Sequence, residues 1–430
     1  MEEILTAFEY PYAWRALAAS VMVGLMCGTL GCFIVLRNMA MFGDALSHAI
    51  LPGIVVAFVI AGGYTALGFF LGSVGAGLLT AVAITWLQER VATKNDAAIG
   101  IVFTTMFALG VMGISWLSKN EHAHIDLKDF LFGNVLGVSD VDLWLTGLIC
   151  AYVLASVWVF YRLLFATTFQ AVIARTMGIN VQLVHYFLML LLSFAVVAAL
   201  QTVGVILVVA MLITPAATGL LLSRRLPVVI GLAAGAGVVA AVTGLLIAFA
   251  FSTTPGPAMA VVASAIYALA VMFAPERGLV FRYLRQRRRT RVVELEDVLK
   301  QGLRLESAGE LSVDALAERT VLPATTVRAR LATLRRRGLA TTSPLGFTAA
   351  GRSEGDRLVR AHRLYETFLV DRLGLTEDQI HDEAERYEHL LTADMLDEMD
   401  RELGYPELDP HGSPIPQREP AADEPPRARE

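Results

Sequence analysis

Two stretches of the chain set carboxylates and imidazoles at helical spacing. The first holds Asp44 and His48 within GDALSHA. Residues four apart on a helix share a face. A carboxylate oxygen beside an imidazole nitrogen suits a divalent transition metal. Both approach or enter an apolar run, where an ionisable group is costly and faces the bundle interior, a partner or a pathway. A structural polar pair is the plainer alternative. The second stretch holds His362 and Glu366 in AHRLYETFL, then His381, Glu385, Glu388 and His389 in HDEAERYEHL. On a helix 385, 388 and 389 share one face, with 381 one turn before. Three carboxylates and three imidazoles between residues 362 and 389 suit Mn(II), Fe(II) or Zn(II). The alternative is a solvated face laced with salt bridges. A further group, Glu121, His122 and His124 in KNEHAHIDLKD, is placed either to attract metal or a delivery protein or simply to solvate a loop. Asp96, at the start of an apolar run, reads most simply as a helix cap.

These residues are positioned by two regions of different class. The chain has 430 residues, 55% of them hydrophobic and 17% charged, against about a quarter charged in an ordinary soluble protein. The deficit lies between Ala13 and about Pro275; from Glu276 onward the chain is rich in Arg, Glu and Asp. Apolar runs of roughly 17–25 residues cross a bilayer as helices. Nine are expected, near 14–36, 46–62, 66–87, 98–117, 141–161, 183–202, 203–222, 226–250 and 257–275. The run at 46–62 is short and broken by Pro52, and the one at 203–222 contains Pro215. Such a region excludes a soluble enzyme. Cys27, Cys32 and Cys150 all lie in apolar stretches and form no CxxC pair, so they are expected to be packed and inert. The leader MEEILTAFEYPYAWR is acidic, which argues against a cleaved signal peptide.

Basic residues orient such a chain. Arg37, Arg90, Lys94, Arg162, Arg175, Arg224 and Arg225 fall mostly on one side of nine spans, with a dense group after Pro275. That side is expected to be cytoplasmic, with the N-terminus outside and the C-terminus inside. The loop from Arg162 to Gln182 reads as a short helix and turn that an engine subunit could grip. No Walker A pattern occurs in the sequence, so an ATPase driving transport would be a separate polypeptide. Arg277, Arg282, Arg285, Arg287, Arg288, Arg289 and Arg291 form a juxtamembrane cluster suited to anionic lipid.

From Val293 the pattern is that of soluble amphipathic helices. LSVDALAERTVLPATTVRARLATLRRRGLA reads as helix, turn, helix, with Ser312 and Thr325 as caps. A short hairpin in TTSPLGF follows. This is the order of a winged helix-turn-helix. Its second helix offers Thr325, Thr326, Arg328, Arg330 and Arg335 to guanine edges or phosphates. Winged helices also bind proteins, so the element alone does not fix function.

The motifs LMCGTLGCFIVLRNMAMFGDALSHAILPG, NDAAIGIVFTTMFALG, DFLFGNVLGVS, QTVGVILVVAMLITPAAT and TPGPAMAVVASAIYALAVMFAP resemble, in order over residues 10–276, the permease family of metal-uptake ABC transporters. The resemblance implies import of manganese, zinc or iron with a separate ATP-binding subunit, an extracytoplasmic metal-binding protein and a second permease subunit. It implies that Asp44 and His48 lie on the translocation path and that the 162–182 loop is the coupling loop. That loop reads TTFQAVIARTMG here, without the aspartate the family often carries.

Residues 295–416, ending in LGYPELDPHGSPIP, are similar to the diphtheria-toxin-repressor family of metal-dependent regulators. The resemblance implies a primary metal site of Glu385, Glu388 and His389, a second site of His362, Glu366 and His381, and a dimerisation domain. With a one-residue gap, Asp297 falls on the N-terminal ligand of the manganese-type members, and Lys300 stands where those members often have an acidic ligand. The resulting expectation is an all-α polytopic membrane domain (1–276), a basic linker (277–292), a winged helix-turn-helix (293–350), a small helical metal-binding and dimerisation domain (351–416) and a disordered tail (417–430). The expected function is a membrane permease for a divalent metal, Mn(II) before Zn(II) or Fe(II), with a metal-sensing or dimer-clamping cytoplasmic domain. The alternative is a membrane-tethered or released metal-dependent repressor. DNA binding by the intact protein is expected to be weak.

Overall fold

The structure is a computed structural model that describes residues 6–416 except 64, 92–93, 121–132, 134, 343, 377–379, 381–382 and 386. The chain divides into two compact units, Met1–Arg282 and Tyr283–Glu430.

The first unit is built from α1 (Pro11–Leu36), α2 (Ala40–Ala49), α3 (Leu51–Ala61), α4 (Ala66–Arg90), α5 (Asn95–Asn120), α6 (Asp140–Val159), α7 (Tyr161–Phe169), α8 (Ala171–Thr176), α9 (Val181–Val203), α10 (Val205–Leu222), α11 (Leu226–Ala250) and α12 (Pro255–Phe273). Among the described residues nine segments are long and apolar enough to cross a membrane, α2 and α3 together making one of them. The chain is therefore a multi-pass membrane protein. Helices α1, α10, α11 and α12 pack on one another, and α3 lies against α4 and α5. Small residues make close crossings: a Cβ on Gly24 would lie 2.7 Å from the Gly237 carbonyl oxygen. Such contacts draw membrane helices together where no hydrophobic drive exists.

Backbone chemistry sets the breaks. Pro52 stands in the first turn of α3, where its missing N–H is harmless. It divides the second span at Ile50. Gly204, at φ 80°, separates α9 from α10 by a single residue, a conformation that favours glycine. Pro215 lies inside α10 without ending it. Asp96 stands in the first turn of α5. The three cysteines are buried and free. The 162–182 loop holds all of α7 but its first residue and the short helix α8.

The second unit contains α14 (Val313–Thr320), α15 (Ala324–Arg336), the antiparallel pair β1 (Ala340–Thr342) and β2 (Leu345–Phe347), α16 (Ala349–Leu373) and α17 (Ala393–Glu402). Helix α13 (Leu279–Ala308) leads into it. It runs unbroken through the segment expected to be a linker, because no Gly or Pro lies between Leu279 and Gly302 and arginine is a good helix former. The strand register pairs Ala340 with Phe347 and Thr342 with Leu345. Ser312 caps α14 as its sequence suggests, but α15 starts at Ala324 after Pro323, so Thr325 lies inside the first turn. One apolar core gathers Leu299, Leu316, Leu334, Phe347 and Leu358. A smaller one gathers Ala361, Leu364, Leu391, Leu396 and Ile415.

Candidate metal sites

Helix α2 carries Asp44 and His48 one turn apart. His48 Nε2 lies 3.8 Å from Asp44 Oδ1, beyond hydrogen-bond length. The His48 ring meets Phe103 and Phe107 of α5 edge-on, with centroids at 5.6 and 5.5 Å. Its Nδ1 is buried and has no hydrogen-bond partner among the described residues. A buried polar atom left unsatisfied is rare and calls for an explanation. Among the described residues neither group bonds a third side chain, so a carboxylate and an imidazole stand side by side with donor atoms uncommitted.

The second cluster is built differently. Glu296, Asp297 and Lys300 lie within about one turn of α13, and His362 and Glu366 lie one turn apart on α16. Glu388 and His389 sit in a 3-10 turn, Glu388–Leu390, rather than on a continuous α-helix. Lys300 Nζ donates to Glu388 Oε1 at 2.9 Å and Oε2 at 2.7 Å. His362 Nδ1 meets Glu388 Oε2 at 2.6 Å, and its Nε2 meets Glu366 Oε1 at 3.1 Å. Lys300, His362, Glu366 and Glu388 are all buried. His389 Nδ1 bonds Glu296 Oε2 at 2.6 Å, while its Nε2 lies 3.4 Å from Asp297 Oδ1 and 3.6 Å from Glu388 Oε1.

Burial alone would raise the Glu388 pKa, but His362 and Lys300 outweigh it and hold the carboxyl below its usual range. Burial would lower the His389 pKa; hydrogen bonds to Asp297 and Glu296, with the charge of Glu388, push it up to about 9. His362 also shifts upward, its bonds to Glu366 and Glu388 overcoming burial.

Asp297, Glu388 and His389 bring ligand atoms within 4.8 Å of one another. Their donor types suit a divalent ion, but their commitments do not. Glu388 spends both oxygens on an ammonium and one also on an imidazole. His389 Nδ1 is engaged by Glu296 at 2.6 Å, and a metal ligand must offer the deprotonated nitrogen. Glu385 is exposed and lines, with Asp297, Gln301 and His389, a cavity of about 610 Å³ outside the buried core. In this arrangement Glu388 and His389 would have to give up these bonds before taking a divalent ion with Asp297.

Of the expected second set, His362 and Glu366 come together and His381 lies outside the described residues. The terminal signature instead brings Asp409 and His411 to Glu366, with ligand atoms within 4.8 Å. Asp409 is largely a turn-former, its Oδ1 accepting the backbone N–H of His411 at 2.9 Å and of Ser413 at 2.7 Å. Glu296, Asp409 and His411 were not singled out by spacing. The Asp and His within LDPHGSPIP were the available signal for the latter two. Glu121, His122 and His124 also lie outside the described residues.

On α15, Thr325 and Arg328 are exposed and Thr326 is half-buried. Arg330 is not free: Glu294 takes both its Nε at 2.8 Å and its Nη2 at 2.6 Å. A phosphate would have to displace that carboxylate.

Comparison with known proteins gives the family. Residues 9–274 match the ABC 3 transport family. Residues 348–417 match the iron dependent repressor, metal binding and dimerisation domain. The chain is 48% identical over 280 residues, 65% of its length and 93% of the relative's, to the manganese transport system membrane protein MntC of Halalkalibacterium halodurans. It is 36% identical over 266 residues, 62% of its length and 86% of the relative's, to the chelated iron transport system membrane protein YfeD of Yersinia pestis. Among solved structures it is similar to PsaBC from Streptococcus pneumoniae in complex with Fab, with TM-score 0.59 and 38% identity, covering 66% of this chain and 99% of that one. On these grounds the chain belongs to the ABC 3 transport family, as a permease subunit.

Proposed function

We propose that the chain is the permease subunit of an ATP-driven importer of a divalent transition metal, Mn(II) before Zn(II) or Fe(II). The observation that carries this reading is the Asp44–His48 pair, with His48 Nδ1 buried and unpartnered, inside an apolar multi-helix unit. A carboxylate in a poorly solvated path lowers the cost of bringing a cation there. An imidazole adds a nitrogen donor that favours transition metals over Ca(II) or Mg(II). Two side-chain ligands hold an ion loosely enough for it to leave again, which conduction requires. The relative named for manganese transport favours Mn(II), and the one named for chelated iron keeps Fe(II) in the comparison.

The partners that fit are a separate ATP-binding subunit, gripping near α8, an extracytoplasmic metal-binding protein and a second permease subunit. Nine spans and the distribution of Arg and Lys support an outer N-terminus and an inner C-terminus in the cytoplasmic membrane. The arginines of α13 from Arg282 to Arg291 are exposed, which suits anionic headgroups. In the second unit we read α13–α15 with β1 and β2 as a winged helix-turn-helix and residues 351–416 as the dimerisation domain. The pairing of Arg330 with Glu294 argues against tight DNA binding, and so against a repressor carried on a permease.

The test is reconstitution with the ATPase and binding protein in liposomes. ATP-dependent accumulation of Mn(II), exceeding that of Zn(II) and Fe(II), is expected. Accumulation of none of the three metals contradicts the reading.

A further inference from the structure

We infer that Lys300 is a built-in counter-cation: its ammonium, in contact with both oxygens of Glu388, supplies the positive charge that a divalent ion would otherwise bring, so that the polar core of the C-terminal unit assembles with no metal bound. The inference is independent of the import reading, because its readout is the fold of this unit and not transport.

The observations converge on the same four side chains. Lys300 is 4% exposed and Glu388 1% exposed, a depth at which a lone lysine or glutamate is not found. An isolated charge there is heavily penalised and needs a hydrogen-bonded partner of opposite sign. Each finds one in the other, at 2.7 and 2.9 Å. His362 then ties Glu388 to Glu366 through its two ring nitrogens, at 2.6 and 3.1 Å. The network joins three segments far apart in sequence: α13, α16 and the turn at Glu388–Leu390. The apolar stripe of α13, including Val298, Leu299 and Leu305, fixes the register at which Lys300 enters.

The charge balance also speaks against a metal. Glu388 already has the Lys300 ammonium on both of its oxygens, and the His362 ring bridges it to Glu366. A divalent ion placed on Glu388 would face the ammonium across a shared carboxylate, with like charges in a poorly solvated space. It would enter only by expelling a covalently attached cation. Three segments that a metal would join are joined instead by a side chain that cannot dissociate.

The experiment uses the full-length protein in detergent micelles and follows backbone hydrogen–deuterium exchange at residues 295–305 and 387–391. Wild type should show the same protection in chelator as in saturating Mn(II). Lys300→Arg keeps the charge and should keep most of that protection. Lys300→Met strands Glu388 and should speed exchange there by about a hundredfold or more in chelator, the loss expected when one partner of a buried pair is removed. Lys300→Glu should be equally unprotected in chelator and regain protection when Mn(II) is added, because the set is then short of positive charge. Wild-type protection that rises about tenfold or more on adding Mn(II) would overturn the inference. So would Lys300→Met exchanging like wild type in chelator.

Discussion

In the first unit, Asp44 and His48 stand 3.8 Å apart and the imidazole's Nδ1 is unbonded. In the second, Glu388 has an ammonium at 2.7 Å and an imidazole at 2.6 Å. Each cluster holds a carboxylate and an imidazole at i, i+4, Asp44 with His48 and His362 with Glu366, yet one stands open to a cation while in the other Glu388 is already paired with an ammonium. The difference comes from residues that spacing does not reveal. Around His48 the neighbours are Phe103 and Phe107, which offer no hydrogen bond to a ring nitrogen. Around Glu388 the neighbour is Lys300, 88 positions away in sequence. A carboxylate–imidazole pair thus marks a place where charge is handled, and the third partner decides whether that charge serves an ion or the fold.

The sharpest way to break this comparison is to neutralise one carboxylate in each cluster. Glu388→Gln leaves Lys300 buried without a counter-ion and should destabilise the C-terminal unit by about 3–5 kcal/mol. Urea unfolding of the full-length protein, followed through that unit, measures it. Asp44→Asn, at a half-exposed group, should leave the first unit's thermal stability within about 0.5 kcal/mol. A stable Glu388→Gln protein would mean that the second cluster is not closed by charge.

A smaller effect is expected from pH. The folded His389 pKa lies near 9, above its ordinary value of 6.5, because Asp297 and Glu296 hold the protonated ring. A raised pKa contributes stability that is complete below about 6.5 and is lost as pH climbs through about 9. Thermal melting of the C-terminal unit should therefore fall between pH 6.5 and 9. Asp297 is 40% exposed, so solvent screening keeps this effect below that of Glu388→Gln. His389→Asn should flatten the slope; an unchanged slope would assign the pH dependence elsewhere.

Much of the first unit was legible because a bilayer span writes itself as a long apolar run. The segments at 203–222 and 226–250 agree with α10 and α11 to within two residues. The break at Ile50 was signalled by Pro52, whereas the separation at Gly204 falls inside the run expected at 203–222 and was not read from the sequence. The second unit was less legible. The pattern HDEAERYEHL suggests one helical face, but the chain turns to 3-10 geometry at Glu388, so that Glu388 is buried while Glu385 stays exposed. Arg330 looks like a free basic residue in ATTVRARL until Glu294, 36 positions earlier, comes beside it. Local spacing gives residue type and helical phase. Long-range pairing, which cancels charge, follows only from packing.

The most direct test of the central claim compares ATP-driven Mn(II) uptake by wild type, Asp44→Asn and His48→Ala in liposomes holding the complete importer, with the amount of assembled complex measured alongside. The account predicts a loss of at least about tenfold in each variant, with assembly unchanged, because each removes a metal-attracting group from a poorly solvated path. Wild-type uptake by both variants at equal assembly would contradict it and make the pair structural.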